Sequence, residues 1–387
     1  MIKQILKYKF TIIISALILT TFITYMFRSG STFSESENRY LAGRPKVTIS
    51  GLADGSFMDS FELYVKEQLP LRDGLIRLKA LAEQAQLKNE NNGIIRGRDG
   101  YLFEKLIRTN PQLDKNEAAI VNFAKGTDRD INICIIPNSY EIMTDKLPEA
   151  FPNISEKERI SSFYGKLAGA DNVHTINMYD ELNAHKNEYI YYRTDHHWTT
   201  QGAYYGYLRL CAEMGLEPVD AVRIEGLKKE ADGFYGTFYS KYRGAGIRPD
   251  TLTYYDIPVK GYRAGSEEHD SLYDTAKLDI YDKYAMFMHG NEGLSIVDSS
   301  DAAAGEENDG LHNAEQRKKE LVIFKDSYAN CLIPFLTYDY DRLIVVDLRY
   351  YPNPVSGLLE EHPDADILLL YNFMHFNEDN HFYRLTS

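Results

Sequence analysis

Basic charge is scarce in this chain: 43 Lys and Arg stand against 57 Asp and Glu, a formal net charge of −14 over 387 residues. Broad nucleic-acid binding needs basic surface to displace counterions from phosphates, so that class is excluded. Cysteine is scarce as well. Cys134, Cys211 and Cys331 lie in apolar stretches with no metal-ligand spacing and read as small buried hydrophobes. No internal repeat is apparent, and no A-x-A cleavage motif follows the first apolar run. What is abundant is core: 44% of residues are hydrophobic, enough for one large domain or two modest ones.

The N-terminus places Lys3, Lys7 and Lys9 ahead of an uncharged, mostly apolar run from Phe10 to Phe27. A run of that length approaches the span of a bilayer, and lysines on its N-terminal side orient that end to the cytoplasm. Residues 1–30 are therefore expected to be a cytoplasmic tip and transmembrane anchor, with the bulk of the chain extracytoplasmic. Signal-peptide cleavage and secretion is the alternative, and it leaves the compartment unchanged. Residues 31–95 read as a polar stem and two leader helices, broken at Leu69-Pro70.

Residues 96–387 read as the main domain. INICII (131–136) and VHTIN (173–177) are short strand patterns, and Thr199 or Thr200 caps a helix that Gly215 stops. Residues 216–320 look irregular and rich in Tyr and Gly, ending in a polar stretch expected to be a mobile surface loop. Then LVIF, RLIVVDL and ADILLLYNF alternate with helix-length segments, which indicates a parallel sheet covered on both faces. Ligands in such sheets bind outside the carboxyl ends of the strands, where Asn138, Ser327, Arg349 and Asn372 stand.

A serine is a weak nucleophile until a neighbouring base takes its proton, and the base works best when an acid fixes its tautomer. Ser327 at a strand-to-helix turn, with Asp195 and His197 two residues apart on a loop, supplies the three parts. Each has a plainer reading, as a helix cap, a bridge between backbone groups or, for Trp198, core filling.

TDHHW followed by TTQGAYYGY resembles the DHHW protein family. That family is similar to the alginate O-acetyltransferase family, whose catalytic domains resemble SGNH hydrolases. ENRYLAGRP, FELYVKEQLPLRD and GRDGYLFE agree with it, and the resemblance covers nearly everything after the anchor. It implies an α/β, circularly permuted SGNH-like three-layer sandwich with a mainly parallel sheet. It further implies Asp195 and His197 as acid and base, Ser327 as nucleophile, and Asn372 in the oxyanion site. Trp198 and Tyr328 are carried over as further oxyanion or substrate contacts, and Asn138, at its own strand end, is expected beside them with Arg349 nearby. Lys325 departs from the family's glycine before Asp326-Ser327, and the glycine of the SGNH pattern after VVDLRYY is missing. His196 is expected to be structural.

The implied activity is O-acetyl transfer to a cell-envelope or exopolysaccharide polymer, with the acetyl donor supplied by a membrane acyltransferase and no cofactor or metal. An acetyl esterase uses the same parts with water as acceptor. A non-catalytic polysaccharide-binding scaffold leaves them unused. Thirty tyrosines suit sugar recognition or core filling. A metal-dependent phosphoesterase, suggested by Asp-His-His, would need more metal-binding carboxylates and histidines than the Asp128 and Asp130 pair supplies.

Overall fold

The computed structural model describes residues 8–27, 30–34, 39–300 and 318–387. The chain divides into two compact units, Met1–Lys88 with Arg243–Ala245, and Asn89–Tyr242 with Gly246–Ser387.

In the first unit the apolar run forms helix α1 (Lys9–Phe27), 19 residues long with its large apolar side chains exposed. It rises about 28 Å at 1.5 Å per residue, under the ~30 Å of a hydrocarbon core. No helix among the described residues is long and apolar enough to cross a membrane. Lys3 and Lys7 lie outside the described residues. The two leader helices are α2 (Ser56–Glu67) and α3 (Arg72–Ala85), separated at Leu69-Pro70 because proline cannot donate into a continuing helix. Glu67 ends α2 by accepting from the Arg39 guanidinium at 2.6 Å and the Ala42 N–H at 2.5 Å, which ties the stem to the helix.

The second unit is built on an eight-stranded sheet. Its strands are β1 (Ile131–Ile136), β2 (Val173–Ile176), β5 (Val259–Ala264), β6 (Glu267–His269), β7 (Leu294–Ser299), β8 (Lys318–Lys325), β9 (Tyr340–Val346) and β10 (Asp366–Asn372). A separate ribbon pairs β3 (Lys228–Phe234) with β4 (Asp250–Tyr255). The sheet order is β6-β5-β7-β9-β8-β10-β1-β2. The five strands from β9 to β2 are parallel, and β7, β5 and β6 extend them antiparallel. Phe324 on β8 lies opposite Val346 on one side and Leu369 on the other. Both neighbours are apolar because central parallel strands are buried on both faces.

Helices α4 (Gln112–Lys125), α5 (Glu156–Leu167), α6 (Thr200–Met214), α8 (Val355–Glu361) and α9 (Phe373–Glu378) accompany the sheet, with α7 (Thr237–Tyr242) between the ribbon strands. Helix α6 begins and ends as its sequence requires. The Thr199 hydroxyl accepts from the Gly202 N–H at 3.2 Å, and Gly215 at φ 67° closes it in the left-handed conformation.

One reading of residues 216–320 changes. The stretch is not irregular: it supplies β3 to β7, three of them in the main sheet. Its strands are antiparallel and half exposed, so their apolar runs are too broken to stand out from the Tyr and Gly around them. Many tyrosines are core residues, among them Tyr191, Tyr192, Tyr207, Tyr262 and Tyr371. Positions 301–317 of the expected mobile loop lie outside the described residues. All three cysteines are free and buried.

Candidate active site

Strand β8 ends at Lys325, and the chain turns at once into a short 3₁₀ segment, Ser327–Cys331. Asp326 holds this turn with both carboxylate oxygens: Oδ1 accepts from the Tyr328 N–H at 2.9 Å and Oδ2 from the Asn372 N–H at 2.7 Å. The second bond ties the turn to the end of β10. Ser327 is left at the first position of the segment, where backbone N–H groups have no partner within the helix.

Residues 190–199 form a tight loop closed by an antiparallel bridge between Tyr191 and Trp198. Asp195 Oδ1 accepts from the His197 backbone N–H at 3.0 Å, a local turn that explains the two-residue spacing of Asp195 and His197. The same oxygen accepts from His197 Nδ1 at 2.5 Å. With that nitrogen protonated, Nε2 is the acceptor, and it meets Ser327 Oγ at 2.8 Å across 130 residues of sequence. Ser327, His197 and Asp195 therefore form one continuous hydrogen-bonded chain.

Two further contacts lock the segments together. Trp198 Nε1 donates to the Tyr328 carbonyl at 2.8 Å, and the Tyr328 hydroxyl donates to the His196 carbonyl. Both side chains, expected against substrate, are fully buried and act as clamps. Gly206 on α6 makes room for the indole: a Cβ there would come within 2.8 Å of the Trp198 ring.

Asp195 is positioned by residues that local sequence patterns do not identify. The Thr237 N–H and hydroxyl donate to Asp195 Oδ2 at 2.7 and 3.1 Å. A Cβ on neighbouring Gly236 would stand 2.2 Å from the Asp195 Cβ. Burial alone would raise the Asp195 carboxyl. The His196 and His197 imidazoles and the bonds from His197 and Thr237 outweigh it and hold the carboxyl well below the usual range. Tyr284 also belongs to the site. Its ring stacks on His197 with centroids 3.7 Å apart and planes 10° apart, and its hydroxyl donates to the Ser327 carbonyl at 3.0 Å. The Gly-Thr step before α7 is a recognisable helix start, but nothing local says that it meets Asp195.

Asn372 and Asn138 come together at adjacent strand ends, the Asn372 amide donating to Asn138 Oδ1 at 3.0 Å and to the Ile136 carbonyl at 3.2 Å. Both amide hydrogens of Asn372 are thus engaged. Asn138 in turn donates its backbone N–H and its amide to Glu156, each at 2.6 Å. Burial raises the Glu156 carboxyl from 4.5 to about 7, against hydrogen bonds that favour its ionised form. The folded chain therefore holds this proton more tightly than the unfolded chain does, and stability falls as pH rises from 4.5 towards 7. Glu156→Gln is expected to flatten that fall by roughly 2 kcal/mol, read as urea midpoints at pH 5 and pH 7. An equally steep fall in the variant would reject the assignment.

Arg349 lies at the end of β9 but is paired with Asp347, Nε and Nη2 donating at 2.8 and 2.6 Å. Lys325, which replaces the glycine of the family pattern, is buried. It donates to Asn291 and Asn330 at 2.9 and 2.8 Å and stands 3.7 Å from Asp347. Burial and the Arg349 cation lower its ammonium to about 8, partly opposed by Asp347 and Asp326.

Among the described residues, Asp195, His196 and His197 are the one group with ligand atoms close enough to share a cation. A cation there would have to displace their bonds to one another and to Thr237. Asp130 stands 3.5 Å from His174 instead and joins no such group.

No curated protein matches this chain. A solved DHHW family protein from Eubacterium siraeum is 25% identical, with a TM-score of 0.58 over 76% of this chain and 95% of that one. Bacillus cereus PatB1, solved with a sulfonyl adduct, is 17% identical, with a TM-score of 0.57 over 76% of this chain and 98% of that one. The second likeness concerns the fold: an α/β architecture with a large, mostly parallel sheet. The family model described as DHHW protein matches residues 95–346, well over half the chain, so the chain belongs to the DHHW family.

Proposed function

We propose that the chain is an O-acetyltransferase that carries the acetyl group on Ser327 and passes it to a polysaccharide hydroxyl. The observation that carries this reading is the unbroken chain Ser327 Oγ, His197 Nε2, His197 Nδ1, Asp195 Oδ1 at the carboxyl edge of a parallel sheet. Ser327 Oγ bonds to the acetyl carbon as its proton passes to His197 Nε2. Collapse of the tetrahedral intermediate breaks the bond to the donor, which leaves with that proton. An acceptor hydroxyl then attacks, gives its proton to His197, and Ser327 recovers it as the Oγ–acetyl bond breaks. The Ser327 backbone N–H supports the oxyanion, and Asn372 joins it by releasing one of its two bonds. The SGNH-like permuted sandwich and a membrane-bound acetyl donor belong to the same reading.

Incubation of the protein with a chromogenic acetyl ester should yield one acetyl on Ser327 by intact mass and peptide mapping. Polysaccharide binding without label or turnover would favour a scaffold, and turnover unaffected by sugar acceptors would favour an esterase. An extracytoplasmic location rests on the N-terminal sequence alone, the lysines before the apolar run. Protection of the chain from protease added to intact cells would count against it.

A further inference from the structure

His196 stands beside the base in a geometry that its expected structural role does not use. The His196 and His197 rings lie 3.8 Å apart with planes inclined by 38°. Both turn Nδ1 towards Asp195 Oδ1, at 3.5 and 2.5 Å, so both Nε2 atoms face away from that carboxylate. One of them meets Ser327. The other has no hydrogen-bond partner among the described residues, and the His196 side chain is 34% exposed while those of His197 and Asp195 are buried.

The tautomer follows from proton counting. Asp195 is held as a carboxylate and only accepts, so the single Thr237 hydroxyl proton goes to its Oδ2. Thr237 Oγ1 must then accept from His196 Nδ1, 2.7 Å away. His196 carries its proton on Nδ1 and presents a lone pair on Nε2. Partial desolvation and the neighbouring His197 lower the imidazole to about 4, so the ring is neutral near pH 7.

We propose that His196 reads the acyl acceptor: its Nε2 accepts a hydrogen bond from a hydroxyl adjacent to the one that attacks, which favours a sugar with two neighbouring free hydroxyls. This rests on the acyl-serine reading above. The attacking hydroxyl forms the new oxygen–acetyl bond and gives its proton to His197, while the adjacent hydroxyl keeps its own proton and only donates to His196. No other group is consumed.

The test measures the ratio of transfer to hydrolysis in the full chain, with 4-nitrophenyl acetate as donor and methyl pyranosides or their monodeoxy analogues as acceptors. His196→Asn places an amide near Nδ1 that still donates to Thr237 but has nothing at Nε2. His196→Gln reaches the Nε2 position but loses the bond to Thr237. Removing one neutral hydrogen bond lowers the wild-type ratio about 3- to 10-fold on a monodeoxy sugar. His196→Asn should show that loss with the intact sugar and no further loss with the deoxy sugar, and His196→Gln should keep part of the preference. Equal ratios for wild type and His196→Asn would overturn the proposal. So would acetylation of Ser327 slowing as much as transfer, because His196 would then act only through Asp195. Absence of acetyl-serine in the wild type would instead reject the underlying mechanism.

Discussion

Ser327→Ala is expected to lower turnover of an acetyl ester by on the order of 10⁵-fold while leaving the melting temperature nearly unchanged. The hydroxyl that is removed contacts His197 Nε2 at 2.8 Å and fills no core position, so the loss is chemical. His197→Ala should cost a similar factor, because base and nucleophile act as a unit. The double variant should then be hardly worse than either single one, whereas independent contributions would multiply. Residual turnover within tenfold of wild type in a folded Ser327→Ala sample would remove Ser327 from the mechanism.

Gly236→Ala is the second large effect, and it acts at a distance from the nucleophile. The added methyl would sit 2.2 Å from the Asp195 Cβ and 2.3 Å from Oδ2. That carboxylate has little freedom to yield, since His197 and Thr237 hold its oxygens. Either the acid or the turn before α7 must shift. A displacement approaching 1 Å at the acid should cost about 100-fold in kcat, with a stability loss of about 1–3 kcal/mol. Gly226→Ala is the control. A Cβ there meets nothing within 4 Å, so its effect on stability should stay within about 0.5 kcal/mol. If stopped-flow acetylation shows the two variants equally active, the acid does not depend on the Gly236 turn.

These two predictions differ in how far they were legible beforehand. Asp195 and His197 stand two apart because one carboxylate oxygen accepts from the backbone and the ring of the same histidine, a local arrangement that leaves a local mark. Ser327 was legible because an apolar strand running into Asp-Ser announces a strand end and a capped turn. The breaks at Leu69-Pro70 and Gly215 and the strands β1, β2, β8, β9 and β10 were legible for the same reason, since backbone restriction and apolar run length act within a few residues.

For Trp198, Tyr328, Asn372 and Arg349 the sequence names the residue types, but their partners are decided by the fold. Two became buried clamps, one shares its amide with Asn138, and one is spent on Asp347. A side chain's type tells what it can bond, while its partner is chosen by whichever polar group the sheet brings beside it.

By itself, the sequence determined the strand-and-helix alternation, the strand ends, and the presence of an Asp-x-His pair and a Ser at a strand-to-helix turn. Only the tertiary structure brought His197 to Ser327 and Thr237 to Asp195, stacked Tyr284 on His197 and left His196 Nε2 open. The physical reason is range. Propensity, capping and periodicity are set by neighbours in the chain, whereas a hydrogen bond across 130 residues depends on strand order and register, which emerge only when the whole sheet buries its apolar faces.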